Sequence, residues 1–187
     1  MKIGILGGTF NPPHMGHLVL AQEVLDKLKL DKIFFIPTNI PPHKENEGIE
    51  TKHRLAMVSL SMEANDSFEL IDVEIKRGGI SYTIDTLRQL IQQFPHDEFY
   101  LIVGSDLAND FSSWKEQQEL KKLAKIVVAC RDKYPLKKQD DFIVLDIIQI
   151  NISSSQIRGL VKKGHSIRYL VPEAVASYIE EHHLYRQ

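Results

Sequence analysis

Short apolar runs recur along the chain at residues 3–6, 33–36, 99–103, 126–129 and 142–145, each bounded by polar or turn residues. Runs of this kind predict strands buried on both faces, as in a parallel sheet. Between them apolar positions fall three or four apart: Leu18, Ala21, Leu25 and Leu28, then Leu55, Val58 and Met62, then Ile84, Leu87, Ile91 and Phe94. That spacing predicts amphipathic helices whose apolar stripe faces a core. Strand and helix alternate, so right-handed crossovers should build an α/β fold: a Rossmann-like open parallel sheet of five or six strands with helices on both faces. Ligands of such a sheet lie at the carboxyl ends of its strands. Pro172 opens a last expected helix, running to His182, in which Val175 and Ile179 are four apart.

The 187 residues, 43% of them hydrophobic, suffice for one substantial core. No repeat, low-complexity tract or linker divides them, so a single domain over residues 1–187 is expected. The 23 basic and 25 acidic residues leave a formal net charge of −2. Without a global positive field, neither nucleic acid nor an anionic membrane is an expected partner, and any anion must be held locally. The one cysteine, Cys130, cannot form an internal disulfide. At the end of the run 126–129 it is expected as a small buried side chain. With no signal-peptide pattern and no apolar segment of membrane-spanning length, a soluble, cytoplasmic protein is expected.

Candidate chemistry begins where the first strand runs into Gly7-Gly8-Thr9-Phe10-Asn11-Pro12-Pro13-His14-Met15-Gly16-His17. Gly7 and Gly8 allow a polyanion to lie against main-chain N–H groups. Pro12 and Pro13 stiffen the loop, and the positive end of a helix starting near Gly16 points at the same place. His14 and His17, three apart, put two imidazoles on one face of a helical turn, each able to donate to a phosphate oxygen. A dinucleotide fingerprint is excluded, because Gly4, Gly7 and Gly8 do not spell G-x-G-x-x-G and the second strand ends at Pro37-Thr38 without an acid. No Walker sequence occurs. Zinc ligation by the two histidines ranks below phosphate contact, since no cysteine or carboxylate stands nearby as a third ligand.

This stretch resembles the nucleotidyltransferase superfamily signature G-x-F-x-P-x-H-x-G-H, with Gly8, Phe10, Pro12, His14, Gly16 and His17 in register. Far downstream, Ile152-Ser153-Ser154-Ser155-Gln156-Ile157-Arg158 resembles the superfamily's I-S-S-T-x-I-R, with serine at 155 where threonine is usual. Ser153 and Gln156 also form a capping box, while Ser154, Ser155 and the fork of Arg158 could meet the β and γ phosphates of ATP. Between the signatures, Ser81-Tyr82-Thr83-Ile84-Asp85-Thr86-Leu87 resembles the stretch that holds the pyridine ring in nicotinate mononucleotide adenylyltransferases of bacterial type. Thr83 can equally cap a helix there, with Asp85 in its first turn.

The resemblance implies adenylyl transfer from ATP to nicotinate mononucleotide in NAD biosynthesis, with Mg²⁺ carried on the ATP phosphates and no protein-bound metal. It implies His14, His17, Lys44 and Arg158 as the catalytic charges. Gly7, Gly8, Thr9, Phe10, Gly104, Asp106, Ser153, Ser154 and Ser155 would bind ATP, Asp106 through the ribose diol, with the C-terminal helices from about residue 153 closing that site. Tyr82, Thr83, Trp114 and Arg131 would bind the mononucleotide, Tyr82 and Thr83 at the nicotinate carboxylate and Trp114 by stacking. Local alternatives stand beside these roles: Ser105 or Asp106 as a helix cap, Lys44 as a solvated loop lysine, Arg54 as a residue behind the site. The loop 38–50 is long enough to act as a lid. Two other functions remain open: adenylyl transfer to nicotinamide mononucleotide or phosphopantetheine, and a nucleotide-binding regulatory module without chemistry. Homo-oligomerisation is left open too.

Overall fold

Along every central strand, alternate residues turn to opposite faces, and this period of two divides the core. Ile3 and Ile5, Phe34 and Ile36, and Phe99, Leu101 and Val103 face one way; Leu6, Ile33, Phe35, Tyr100 and Ile102 face the other. The structure, a computed structural model, describes residues 1–42, 49–130, 136 and 141–186. In chain order they form β1 (Lys2–Gly8), α1 (Met15–Leu28), β2 (Lys32–Pro37), α2 (Thr51–Met62), β3 (Phe68–Leu70), α3 (Val73–Arg77), α4 (Thr83–Gln93) and β4 (Glu98–Gly104). There follow α5 (Ser105–Asn109), a 3₁₀ turn (Phe111–Ser113), α6 (Gln117–Leu123), β5 (Lys125–Cys130), β6 (Ile143–Asp146), α7 (Ser154–Lys162) and α8 (Glu173–Glu181).

Among the described residues six strands pair in the order β3-β2-β1-β4-β5-β6, all parallel. The chain steps outward from β1 to β3, returns to lay β4 beside β1, and then proceeds the other way. That reversal opens a crevice beyond the carboxyl ends of β1 and β4. α4 covers one face through Ile84, Leu87 and Leu90. α1 and α2 cover the other through Leu20, Ala21, Val24, Val58 and Met62. A third cluster joins the C-terminal helices to the body: Ile157 of α7 and Val175 and Ile179 of α8 pack with Met57 of α2.

Several expectations need correction. β3 was not among the five apolar runs, because Phe68-Glu69-Leu70 is short and interrupted by a charge, as suits an edge strand. β6, expected to be buried on both faces, alternates half-buried and exposed residues at the opposite edge. Cys130 ends β5 only half-buried, since its outer neighbour is that same exposed edge strand. His14 does not lie within a helical turn but precedes α1 as an extended N-cap residue.

Candidate active site

The crevice holds a cavity of about 760 Å³, and both signature stretches open onto it. Gly7, Gly8, Thr9, His14 and His17 line one wall, and Ser153, Ser154, Ser155 and Arg158 line a second. Hydrogen bonds lock these two walls together across the chain. The Ser154 hydroxyl donates to the Pro12 carbonyl at 2.8 Å, and Arg158 Nη1 donates to the Asn11 carbonyl at 2.8 Å. The Tyr185 hydroxyl donates to Asn11 Oδ1 at 2.6 Å, and the Met15 amide donates to the Leu170 carbonyl at 3.0 Å. Arg158 Nη2 also reaches Ser155 Oγ at 3.2 Å, so the guanidinium stands beside the serine hydroxyls at the start of α7.

The histidine pair is built by packing. The two rings stack with centroids 3.7 Å apart, and Phe10 meets His17 edge-on at 5.0 Å. A Cβ at Gly16 would lie 3.1 Å from the His14 ring, a tight contact that would push the ring by a few tenths of an ångström. Likewise a Cβ at Gly8 would lie 3.1 Å from the Phe10 ring. The His14 amide donates to His17 Nδ1 at 3.2 Å. An Nδ1 that accepts leaves Nε2 to carry the proton, so neutral His17 presents an N–H donor at its far nitrogen.

Phe10 is therefore support for His17 and not cavity wall: it is 1% exposed and stands outside the lining. Its φ of 48°, rare for a side chain of that size, is held by this burial. Gly104 and Asp106 do not line the cavity either, although their neighbours Val103 and Leu107 do. Gly104, and neither Ser105 nor Asp106, occupies the N-cap position of α5. Lys44 and Arg131 lie outside the described residues.

The third wall is the start of α4. Tyr82 and Thr83 line it with Trp114 and Ser113. Tyr82 is the N-cap and Thr83 the first helical residue, with no side-chain cap, which corrects the expected Thr83 cap. A helix start without such a cap leaves its backbone N–H groups to another acceptor. Trp114 is half-buried, its ring 5.3 Å from Phe111, so one part packs on the core while another faces the cavity.

Arg54, Glu74 and Asn39 are lining residues that sequence reasoning placed behind the site or did not single out. Arg54, read as a residue behind the site, is only 6% exposed and lines the cavity. Its Nη1 donates to the Thr9 carbonyl at 3.0 Å and the Thr38 carbonyl at 2.7 Å. Burial lowers its pKa, an effect the Tyr185 phenol opposes, and a guanidinium keeps its charge even so. Glu74, in the charged stretch 72–77, is buried by α4, and its carboxyl pKa is raised chiefly by that burial. Asn39, whose amide donates to Ser81 Oγ at 3.0 Å, ties the loop after β2 to the third wall. In the sequence Glu74 is one of four charges among residues 72–77, and the short α3 gives no helical periodicity that would mark it as buried.

A family model described as cytidylyltransferase-like matches residues 5–160. A protein of Lactiplantibacillus plantarum named as a probable nicotinate-nucleotide adenylyltransferase is 47% identical, the match covering 100% of this chain and 89% of the relative. One of the same name from Shouchella clausii is 44% identical over 98% of this chain and 96% of its own. The chain belongs to the nicotinate-nucleotide adenylyltransferase family. The solved structure of Plasmodium falciparum nicotinic acid mononucleotide adenylyltransferase complexed with NaAD aligns at TM-score 0.81 over 98% of this chain and 97% of that one. At 23% identity that likeness extends the family's fold to a distant relative.

The capping box expected in the second signature is present. The Gln156 amide donates to Ser153 Oγ at 3.2 Å, and the Ser153 amide donates to Gln156 Oε1 at 2.9 Å. Replacing Ser153 by alanine is expected to cost about 1 kcal/mol. In a thermal melt this should lower Tm by about 2–4 °C, while an unchanged Tm would mean that water replaces the cap.

Proposed function

We propose that the cavity transfers the adenylyl group of ATP to nicotinate mononucleotide, giving nicotinate adenine dinucleotide and pyrophosphate. The observation that carries this reading is the meeting, in one cavity, of two phosphate-type walls and a third wall offering helix N–H groups beside a tryptophan. The acceptor's phosphate is ionised at neutral pH, so one of its oxygens attacks the α-phosphorus in line. A new oxygen–phosphorus bond forms, the bond to the β-phosphate bridging oxygen breaks, and pyrophosphate leaves with that electron pair. No protein nucleophile is required, and the chain's work is positioning and charge neutralisation.

His14, His17 and Arg158 would meet the transferring and departing phosphates, with Lys44 and Arg131 as further cations. Gly7, Gly8 and Thr9 would supply main-chain donors, and Ser153, Ser154 and Ser155 hydroxyls and amides. Asp106, one residue from the lining, would take the ATP ribose. Mg²⁺ fits this donor set as an ion carried by phosphates: among the described residues no three metal-ligating side chains converge, and such an ion keeps water and phosphate as most of its ligands. Bound there, it would offset phosphate charge. The working unit we infer is the single domain, with α7 and α8 closing the ATP side, acting in the cytoplasm. No helix among the described residues is long and apolar enough to cross a membrane.

The test is pyrophosphate release with ATP and Mg²⁺, offering nicotinate mononucleotide, nicotinamide mononucleotide and phosphopantetheine separately. Charged hydrogen bonds from the start of α4 to a carboxylate should favour the acid over the amide by about 10–100-fold in kcat/KM. Preference for another acceptor would overturn the roles of Tyr82, Thr83 and Trp114. Release with none of them, despite ATP binding, would favour a regulatory module.

A further inference from the structure

Behind the third wall lies a carboxyl group that the transfer reaction does not use. Glu74 is 7% exposed and borders the cavity. Its Oε1 accepts from the Thr86 hydroxyl at 2.7 Å, while its Oε2 is buried and has no well-formed hydrogen bond among the described residues. Among the described residues no cation forms an ion pair with it. The nearest, Arg77, directs Nη1 to Gln89 Oε1 at 2.6 Å and Nη2 to Thr86 Oγ1 at 3.0 Å.

Thr86 connects this carboxyl to the acceptor wall. Its hydroxyl also lies 3.4 Å from the Tyr82 carbonyl, and with a single proton it donates there only when a protonated Glu74 donates to it in turn. That carbonyl belongs to the same rigid peptide unit as the Thr83 N–H, so fixing the oxygen fixes where the N–H points. Ser81, the residue before Tyr82, is held by the Asn39 amide and is a second hydroxyl acting on Glu74. We propose that Glu74 is a specificity-determining positioning residue, which aligns the Tyr82–Thr83 peptide through Thr86 and admits an anionic pyridine carboxylate beside it only while it carries a proton. The proposal rests on the nicotinate reading above.

The electrostatic argument is direct. Two carboxylates sharing a partly desolvated wall cannot both ionise cheaply. Burial of Oε2 favours placing the proton on Glu74. Burial already pushes its pKa up, against the opposing pull of Thr86, Ser81 and Arg77. Other charges on the packed elements are engaged elsewhere. On α3, Lys76 pairs with Asp72 at 2.9 Å; on α4, Asp85 pairs with Lys115 at 3.1 Å and Arg88 with Glu116; on β2, Lys32 pairs with Glu69 at 2.7 Å. Lys115 stands on the third wall itself, its Nζ 4.4 Å from the centroid of the Tyr82 ring, while the rest of the cavity lining brings Arg54, His14, His17 and Arg158. These serve the acid and amide acceptors alike, because both carry the same phosphate.

The sign follows. As pH rises through the raised Glu74 pKa, the acid acceptor should bind more weakly and the amide acceptor should not. Measured between pH 6 and pH 9, the ratio of KM values, acid over amide, is expected to climb about tenfold per pH unit once Glu74 ionises. In Glu74→Gln, which keeps the shape and the Thr86 contact, the ratio should stay flat, with the KM for ATP unaltered. A ratio that climbs equally in Glu74→Gln, or one already flat in the unmodified protein, overturns the proposal. Calorimetry on the unmodified protein, in buffers of different ionisation enthalpy, guards against a variant that misfolds. At pH values where free Glu74 is ionised, nicotinate mononucleotide should take up more protons on binding than nicotinamide mononucleotide; equal uptake at every pH up to 9 overturns the proposal. If nicotinate mononucleotide neither binds nor turns over, the acceptor assignment itself has failed, and phosphopantetheine turnover in the same assay would show it.

Discussion

Replacing His17 by alanine is expected to lower kcat by about 10²–10³-fold, the loss typical when one preorganised donor to a developing anion is removed. The donor is identified by its hydrogen bonds. Nδ1 accepts from the His14 amide, which leaves Nε2 protonated and turned away from the backbone. Stacking on His14 and the edge of Phe10 hold the ring, so little reorganisation is needed as charge builds on the transferring phosphate. His17→Asn sharpens the test, because a carboxamide oxygen can replace Nδ1 as acceptor without supplying the far donor. Asparagine should therefore restore Tm toward the parent value while kcat stays low. If the folded alanine variant turned over near the parental rate, His17 would have no part in the transition state.

What the sequence disclosed about such residues depended on whether their role was local. The glycine turn, the paired histidines and the Ser153–Gln156 box are contiguous stretches whose geometry follows from spacing. The structure places the glycines, the histidines and Ser153 on one cavity, with Gln156 holding Ser153 from outside the lining. The central strands were equally legible, since burial on both faces leaves an unbroken apolar run. Of the edge elements, β6 was legible as the run 142–145 although half of it is exposed, whereas β3, half-buried throughout and interrupted by Glu69, left no run. Residues whose environment comes from distant chain were least legible. Glu74 is buried by α4, nearly a helix length downstream, and Tyr185 reaches Asn11 from the far end of the chain. Phe10 shows the converse, a signature residue whose contribution is packing beneath His17 instead of contact with the cavity.

Arg54 is the largest of these long-range effects, and its replacement by methionine is expected to destabilise the protein by about 3 kcal/mol. Methionine fills much of the same volume, so the loss isolates the guanidinium. One nitrogen, Nη1, bridges two carbonyls: Thr9 in the phosphate loop at 3.0 Å and Thr38 beyond β2 at 2.7 Å. Nη2 adds the Thr51 hydroxyl at 3.3 Å, which ties the start of α2 to the same point. Without the cation both carbonyls lose a charged donor in a part-buried setting, and water must enter to replace it. Tm should fall by about 6–12 °C. Lysine is expected to recover only part of this, since a flexible ammonium lacks the fork that serves three acceptors at once. Because Thr9 lies between Gly8 and Phe10, a displaced carbonyl would also shift the loop beneath His17. The methionine variant should then lose turnover even at temperatures where it is fully folded. A parental Tm together with parental turnover would mean that the two strand ends hold their separation unaided, through the Thr38 amide bond to the Gly8 carbonyl at 2.9 Å.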